Sequence, residues 1–491
     1  MIAKYRSLWL GLAAVAGLVL AVGCGNTFRQ FITPVPGPSG DPGDLSHAVV
    51  TSTNPTAGGL GTDEHVNVSG DSLVGIVPLG TNPVFFGYGS GRAFAVDGNG
   101  NLLLYTGLLP LTSSLATAVP PAGTSGQVAG GITSGGTIYI ANSGSNNVSV
   151  LSGTSSTFTA TVATGTQPVM VAAGLADKVY VVNRGSNNVT VISTLDNSIL
   201  KTIPVGPSPI WAVMSTDGVN VFVVNQGDGT VSVLDTTLDQ EICSNGAAIV
   251  ACTPANRIHV GTSAGSSPNF AFFDSPRRRV YVTNTGENTV SVIKADGVNL
   301  GVLPPIVPTL LANVTVSGKP TSVTALADGS RAYAALGGCP TGVNHLTIIA
   351  SVPSCTGNLV SVIDAVGLLQ SSTIVVGPGA VSIASANDSS RVYVIGALDQ
   401  TTITDNVSAH LTPPLPPQPP RTISTPSVSV IKTSTNTVIR PATDPSVTTL
   451  VPTFLAPPQD PTCVAKFDTT FNTTAPIPCK GQTPFMVRVI P

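Results

Sequence analysis

Two segments of the chain read almost alike: Ile138-Tyr-Ile-Ala-Asn-Ser-Gly-Ser-Asn-Asn-Val-Ser-Val-Leu151 and Val179-Tyr-Val-Val-Asn-Arg-Gly-Ser-Asn-Asn-Val-Thr-Val-Ile192. Their aromatic anchors, Tyr139 and Tyr180, lie 41 residues apart, and the next anchor, Phe222, follows after 42. In each copy a continuous apolar run meets a polar turn and then a second β-branched run. A strand that is apolar at every position has both faces covered. In the second copy a third run covers 199–205, Gly206-Pro-Ser-Pro209 turns the chain, and a further run begins at Ile210. Four strands in such a period make one sheet of a radial stack, a β-propeller blade.

The ends decide how the ring closes. The Gly-x-x-Pro element that opens a unit stands at 80–83, 165–168, 206–209 and 265–268, with a variant in Ser317-Gly-Lys-Pro320. A last copy, Gly481-Gln-Thr-Pro484, is followed only by the single strand 485–490. At the other end, 48–52, 65–69 and 73–78 read as three strands lacking a first. Pairing the last strand with these three closes the ring and removes its open edges. The expectation is therefore all-β: a propeller of four-stranded blades, eight favoured, or seven if the N-terminal strands do not form. Only 9% of residues are charged, while 51 Gly and 41 Pro supply frequent turns, as many short strands require.

Val280-Tyr-Val-Thr-Asn284, followed by Thr289-Val-Ser-Val-Ile293, resembles the YVTN-type β-propeller repeat of bacterial cell-surface and periplasmic proteins. The resemblance covers most of the chain. It implies a fold and a location, and no catalytic residues, because the motif is structural. The copies weaken toward the ends: Ala93-Phe-Ala-Val-Asp97, Ala332-Tyr-Ala-Ala335 and Val392-Tyr-Val-Ile395 lack the Asn.

The first residues stand outside the repeat. Lys4 and Arg6 precede an apolar run over 8–22, which reads as a signal peptide over 1–23. Its end, Leu20-Ala-Val-Gly-Cys24, resembles the bacterial lipoprotein processing site, where the Cys takes a diacylglyceryl group and becomes the mature N-terminus. An ordinary secretory cleavage is the alternative. Residues 24–46, with Pro34, Pro36, Pro38 and Pro42, then form a tether to a single domain over 47–491. Because Gly25 rather than Asp follows the Cys, the outer membrane is the expected destination, with the N-terminal lipid holding the chain to the cell envelope.

Apart from Cys24, six cysteines fall into three close pairs: Cys243 with Cys252, Cys339 with Cys355, and Cys463 with Cys479. Fifteen connectivities are formally possible. Each local pair brackets a segment that breaks the repeat, so local bridging is the simplest reading, and it fits export. Insertions are placed near 236–256, 337–358, 396–426 and 441–480. The first is read between the third and fourth strands of its blade. The other three fall at second-to-third or fourth-to-first connections, which share one face of a propeller, and sit on neighbouring blades. Repeat proteins tend to carry such additions on their binding face.

Chemistry is sparse. The chain has three Glu (Glu64, Glu241, Glu287) and five dispersed His, and no nucleophile elbow, zinc-protease pair or phosphate loop. Asp63-Glu-His65 reads as a solvated turn before a strand, and Arg277-Arg-Arg279 as a solvated turn. Asn142, Asn183, Asn225 and Asn284 end equivalent strands, where turn formation is the expected role. A net charge of -3 with no basic stripe argues against nucleic acid. The inner strands 169–174, 210–214, 269–273 and 321–325 are apolar or small, which favours binding over catalysis. No catalytic, cofactor-binding or metal-ligating residue is nominated. The expectation is a monomeric, surface-anchored scaffold that binds a protein or glycan, the alternative being a propeller enzyme of lactonase or hydrolase type with its site in the channel.

Overall fold

The computed structural model describes residues 47–53, 60–68, 72–81, 83–89, 92–97, 102–106, 113–116, 128–132, 136–152, 158–173, 177–263, 265–296, 306–340, 355–396, 400–403, 421–424, 427–439 and 483–490. Most of these are strand, joined by tight turns, with one 3-10 turn at Pro254–Asn256. Seven antiparallel sheets follow one another along the chain, each running outward from its first strand. They form blades 1 (83–116), 2 (128–163), 3 (168–204), 4 (209–259), 5 (268–315), 6 (322–375) and 7 (380–438). An eighth sheet is composite: Thr483–Ile490 lies innermost, and His47–Thr53, Leu60–Asn67 and Ser72–Thr81 follow outward. His47 pairs with Ile490 and Thr53 with Thr483, with a bulge between Thr51 and Ser52. Each inner strand touches the next, and Thr483–Ile490 touches both Ala380–Ser385 and Pro83–Gly89. The C-terminal strand thus completes the composite sheet and closes the ring.

Burial follows from the stacking. Lys178–Asn183 and Asn188–Ser193 are buried at all but their first residue, whereas the outer strand Ile199–Pro204 is exposed at all positions except Ile203. Blades on both sides cover the middle strands, and each fully buried Val, Ile or Tyr there contributes ~1.5–3 kcal/mol. The repeat's aromatic anchor also ties blade to blade. Tyr139 donates to Asn197 Oδ1 at 2.8 Å, Tyr180 to Asp239 Oδ1 at 3.0 Å and Tyr333 to Asn436 Oδ1 at 2.6 Å, each in the following blade. Those acceptors have φ of 60°, 50° and 53°, the left-handed conformation that Asn and Asp tolerate better than most residues. Burial, and secondarily the Asp239 charge, holds the Tyr180 hydroxyl protonated well above its usual range.

The triple arginine lies at a part-exposed turn, as expected, but its side chains are engaged: Arg278 pairs with Asp217 of blade 4 at 2.7 Å, while Arg277 and Arg279 donate to the Gly329 and Ala365 carbonyls of blade 6. Neighbouring blades offer acceptors that a single hairpin lacks. The Cys243–Cys252 insertion does not separate the third and fourth strands but splits the fourth. Gln240–Glu241 pairs with Leu234 and Asp235, and Ile258–His259 resumes the same ladder beside Thr230 and Val231. An outermost strand has one partner, so breaking it sacrifices ladder bonds on one side only.

Candidate functional site

The hairpins between second and third strands set one face of the ring. In blades 2 to 5 the Asn that ends the second strand is fully buried. Its Nδ2 donates to the residues five and seven further on. Asn183 bonds Asn188 Oδ1 at 2.8 Å and Thr190 Oγ1 at 2.9 Å; Asn225 bonds Thr230 and Ser232 at 3.0 and 2.9 Å. Asn142 and Asn284 repeat the arrangement on Asn147 with Ser149 and on Thr289 with Ser291. The side chain is thus a clamp across the hairpin, and the turn is begun by the carbonyl, as in Asn142 to Ser145. The signal in the sequence was the pair of polar residues at those two spacings. In blades 3 and 4 the opening Gly packs on this clamp: a Cβ at Gly165 would lie 2.8 Å from Asn183 Cγ, and one at Gly206 2.5 Å from Asn225 Nδ2.

Blades 6 and 7 lack the clamp. Leu336 and Gly396 stand where the Asn would be, and there the hairpins are lengthened. In blade 6 the excursion is tied by a Cys339–Cys355 disulfide, Cα atoms 4.1 Å apart, both residues fully buried. In blade 7 it carries its own two-stranded sheet, Gln400–Ile403 against Arg421–Ser424. Cys243–Cys252 is also bridged, with Cα atoms 5.2 Å apart, on the outer rim of blade 4. Beside it Arg257 makes a two-point contact with Glu241 at 2.7 and 3.0 Å. Cys24, Cys463, Cys479 and the insertion at 441–480 lie outside the described residues.

A cavity of about 840 Å³ occupies the axis. Its described wall mixes small and hydroxyl side chains, among them Ser322, Thr324 and Ser385, with Trp211, Phe270 and Phe272. Trp211 and Phe270 lie 4.8 Å apart between ring centres, tilted by 44°, and Trp211 Nε1 donates to the Ala271 carbonyl at 3.1 Å. That bond, with Asn269 to Thr321 O and Thr321 to Ala380 O, fastens the inner strands of blades 4 to 7 around the axis. Thr324 and Ser385 hydroxyls meet at 2.9 Å. The one carboxylate among the described lining is Asp274, buried, with Oδ1 accepting the Arg277 N–H at 3.3 Å; burial raises its pKa. No His, Lys, Arg or Cys stands beside it in that lining.

Asp63 and His65 are not in a solvated turn. Both are fully buried on one face of strand Leu60–Asn67, and the His47 ring meets that of His65 edge-on at 5.8 Å. The alternation that points them inward was hidden by the charge of the segment. Burial, with repulsion from His47 second, lowers the His65 pKa from 6.5 to about 4.

No family model and no curated protein matches the chain. Solved structures do. Dihydro-heme d1 dehydrogenase NirN, in complex with DHE, superposes with a TM-score of 0.54 at 12% identity, over 82% of this chain and 74% of that one. Citrobacter koseri AztD gives 0.49 at 9% identity over 91% and 97%, and the periplasmic gluconolactonase PpgL of Pseudomonas aeruginosa 0.45 at 14% over 67% and 95%. At such identities the likeness is one of fold: this chain is a β-propeller.

Proposed function

We propose that the chain is an exported, lipid-anchored β-propeller that binds a protein or glycan through the face bearing the insertions at 337–358, 396–426 and 441–480. The observation that carries this reading is the paired change at Leu336 and Gly396: on two neighbouring blades the Asn clamp is absent and the hairpin is extended. Loops on a rigid scaffold are where recognition residues concentrate. A lactonase- or hydrolase-type site in the channel is the alternative. It finds little support in a described lining whose one carboxylate, Asp274, is buried with a backbone N–H on it, and which holds no His, Lys, Arg or Cys.

Anchoring rests on the charged start, the apolar run and Cys24; among the described residues no helix is long and apolar enough to cross a membrane. Fatty-acid labelling of intact cells tests it: label lost in Cys24→Ser supports the anchor, and equal label in both proteins rejects it. The binding face is tested by crosslinking capture on intact cells. Replacing 396–426 by an Asn-Gly turn should abolish capture, and trimming the Cys243–Cys252 excursion on the rim should spare it. Equal loss from both changes, or from neither, rejects this face.

A further inference from the structure

We propose that the face of the ring carrying the third-to-fourth turns lies on a zwitterionic lipid surface, which points the insertion-bearing face away from the membrane. This orientation rests on the lipid anchor proposed above and adds which way up the anchored ring sits. In each blade the first-to-second and third-to-fourth turns share one end of the sheet, as Lys178 opposite Ser193 shows in blade 3, and the second-to-third hairpin stands at the other.

Every large hydrophobic that stands exposed among the described residues, apart from Ile249 and Val375, lies in a third-to-fourth connection or in the first three residues of the strand that follows it. Leu195, 80% exposed, and Val366, 71% exposed, occupy the turns of blades 3 and 6. Leu238 and Ile306 occupy the same connection in blades 4 and 5 between them. Scattered exposed side chains need no explanation, but an arc over four adjacent blades on one face does. The N-terminal chain joins the ring on that face. His47 begins the second strand of the composite blade and pairs with Ile490, the last residue of the inner strand, so it stands at the turn end of the sheet. Residues 25–46, fully extended, reach at most ~80 Å from Cys24. A lipid on Cys24 keeps the ring beside the bilayer, and apolar tips then favour its interface over water. Charge selects the lipid. Asp177, Asp196, Asp328 and Asp388 stand exposed on the turns of this face, whereas Lys178, Arg278 and Lys294 there are each paired with an Asp, so an anionic surface is opposed.

The full chain is reconstituted into phosphatidylcholine vesicles with and without brominated phosphatidylcholine, a short-range quencher of tryptophan. Val366→Trp and Val375→Trp place reporters in blade 6 toward opposite faces, at exposed sites where substitution leaves the fold intact. Emission from Val366→Trp should fall at least ~twofold in brominated vesicles, and that from Val375→Trp by less than ~10%. Trp211 is 5% exposed, and the emission of the parent chain is subtracted. Should Val366→Trp fail to fold, Leu195→Trp decides, with the same expected quenching. Replacing about a third of the lipid by phosphatidylglycerol should lessen the quenching, and a gain would overturn the charge assignment. Flotation of the parent chain with the vesicles, lost in Cys24→Ser, reports the anchor separately. A parent chain that does not float rejects the anchor, and a maleimide lipid coupled to Cys24 then brings the ring to the bilayer for the same comparison. Quenching of Val375→Trp equal to or above that of Val366→Trp, or of neither in a chain held on vesicles, overturns the orientation and leaves the apolar arc to a protein partner.

Discussion

Blades 3 and 7 share strand order, a Tyr anchor and a hydroxyl on the third strand, yet they treat the second-to-third hairpin in opposite ways. In blade 3, Asn183 bonds Asn188 and Thr190, closing the turn within a few residues. In blade 7, Gly396 faces Ser427 across a break of thirty residues, while Ser429 keeps its place and accepts from Gly377 N at 3.2 Å. Blade 6 departs in the same way at Leu336. The difference separates two tasks. Ties between and within blades hold the ring, and unclamped hairpins add chain to one face without entering the ladders.

Four expected outcomes probe that separation, and the largest concerns the ring. Deleting 481–491 removes the inner strand of the composite blade, which opens the edge of His47–Thr53 and uncovers the inner strands Ala380–Ser385 and Pro83–Gly89 on either side. In a fold whose stability is a sum of neighbour contacts, the thermal midpoint should fall by ~10 °C or more, or the protein should aggregate. An unchanged melting curve contradicts closure by the terminus.

The composite blade should also be the acid-sensitive one. The folded pKa of His65 is depressed to about 4 against an unfolded value near 6.5, so the unfolded state binds the proton first as pH falls. The stability is present in full above pH ~6.5 and is lost as pH drops toward ~4, amounting to about 3 kcal/mol. Urea unfolding across that range should show the loss, and His65→Leu should flatten it; an equal slope in both proteins removes His65 as the cause.

The clamp comes next. Asn225→Ala strips two hydrogen bonds from Thr230 and Ser232 in a buried site and should cost ~1–3 kcal/mol in chemical unfolding. A cost near zero would mean that hairpin length is set by the turn residues alone.

Much of this was legible in the sequence because it repeats. The Tyr period gave blade length, and the orphan strand after Pro484 gave closure. The Cys243–Cys252 and Cys339–Cys355 pairs bracketed real departures from the repeat. What stayed hidden depends on neighbours. Nothing local tells that Arg277 and Arg279 reach blade 6, that Asp63 and His65 face inward, or that the blade 4 insertion enters the outer strand rather than preceding it. The Asn clamp lay between: its partners sit within seven residues, but the side chain bonds across the ladder instead of back onto its own turn.

No loss of stability is expected from the blade 7 excursion. Replacing 396–426 by an Asn-Gly turn should leave stability unchanged or raise it by up to ~2 kcal/mol, because each halving of a closed loop lowers its closure cost by ~0.6 kcal/mol. Amide hydrogen exchange on that variant is the most direct test of the separation between ring and loops. Residues 391–395 and their partners 428–432, which pair along their whole length, should keep the protection they have in the parent protein. Loss of protection in those two strands would show that the excursion holds the blade together, and would contradict the account.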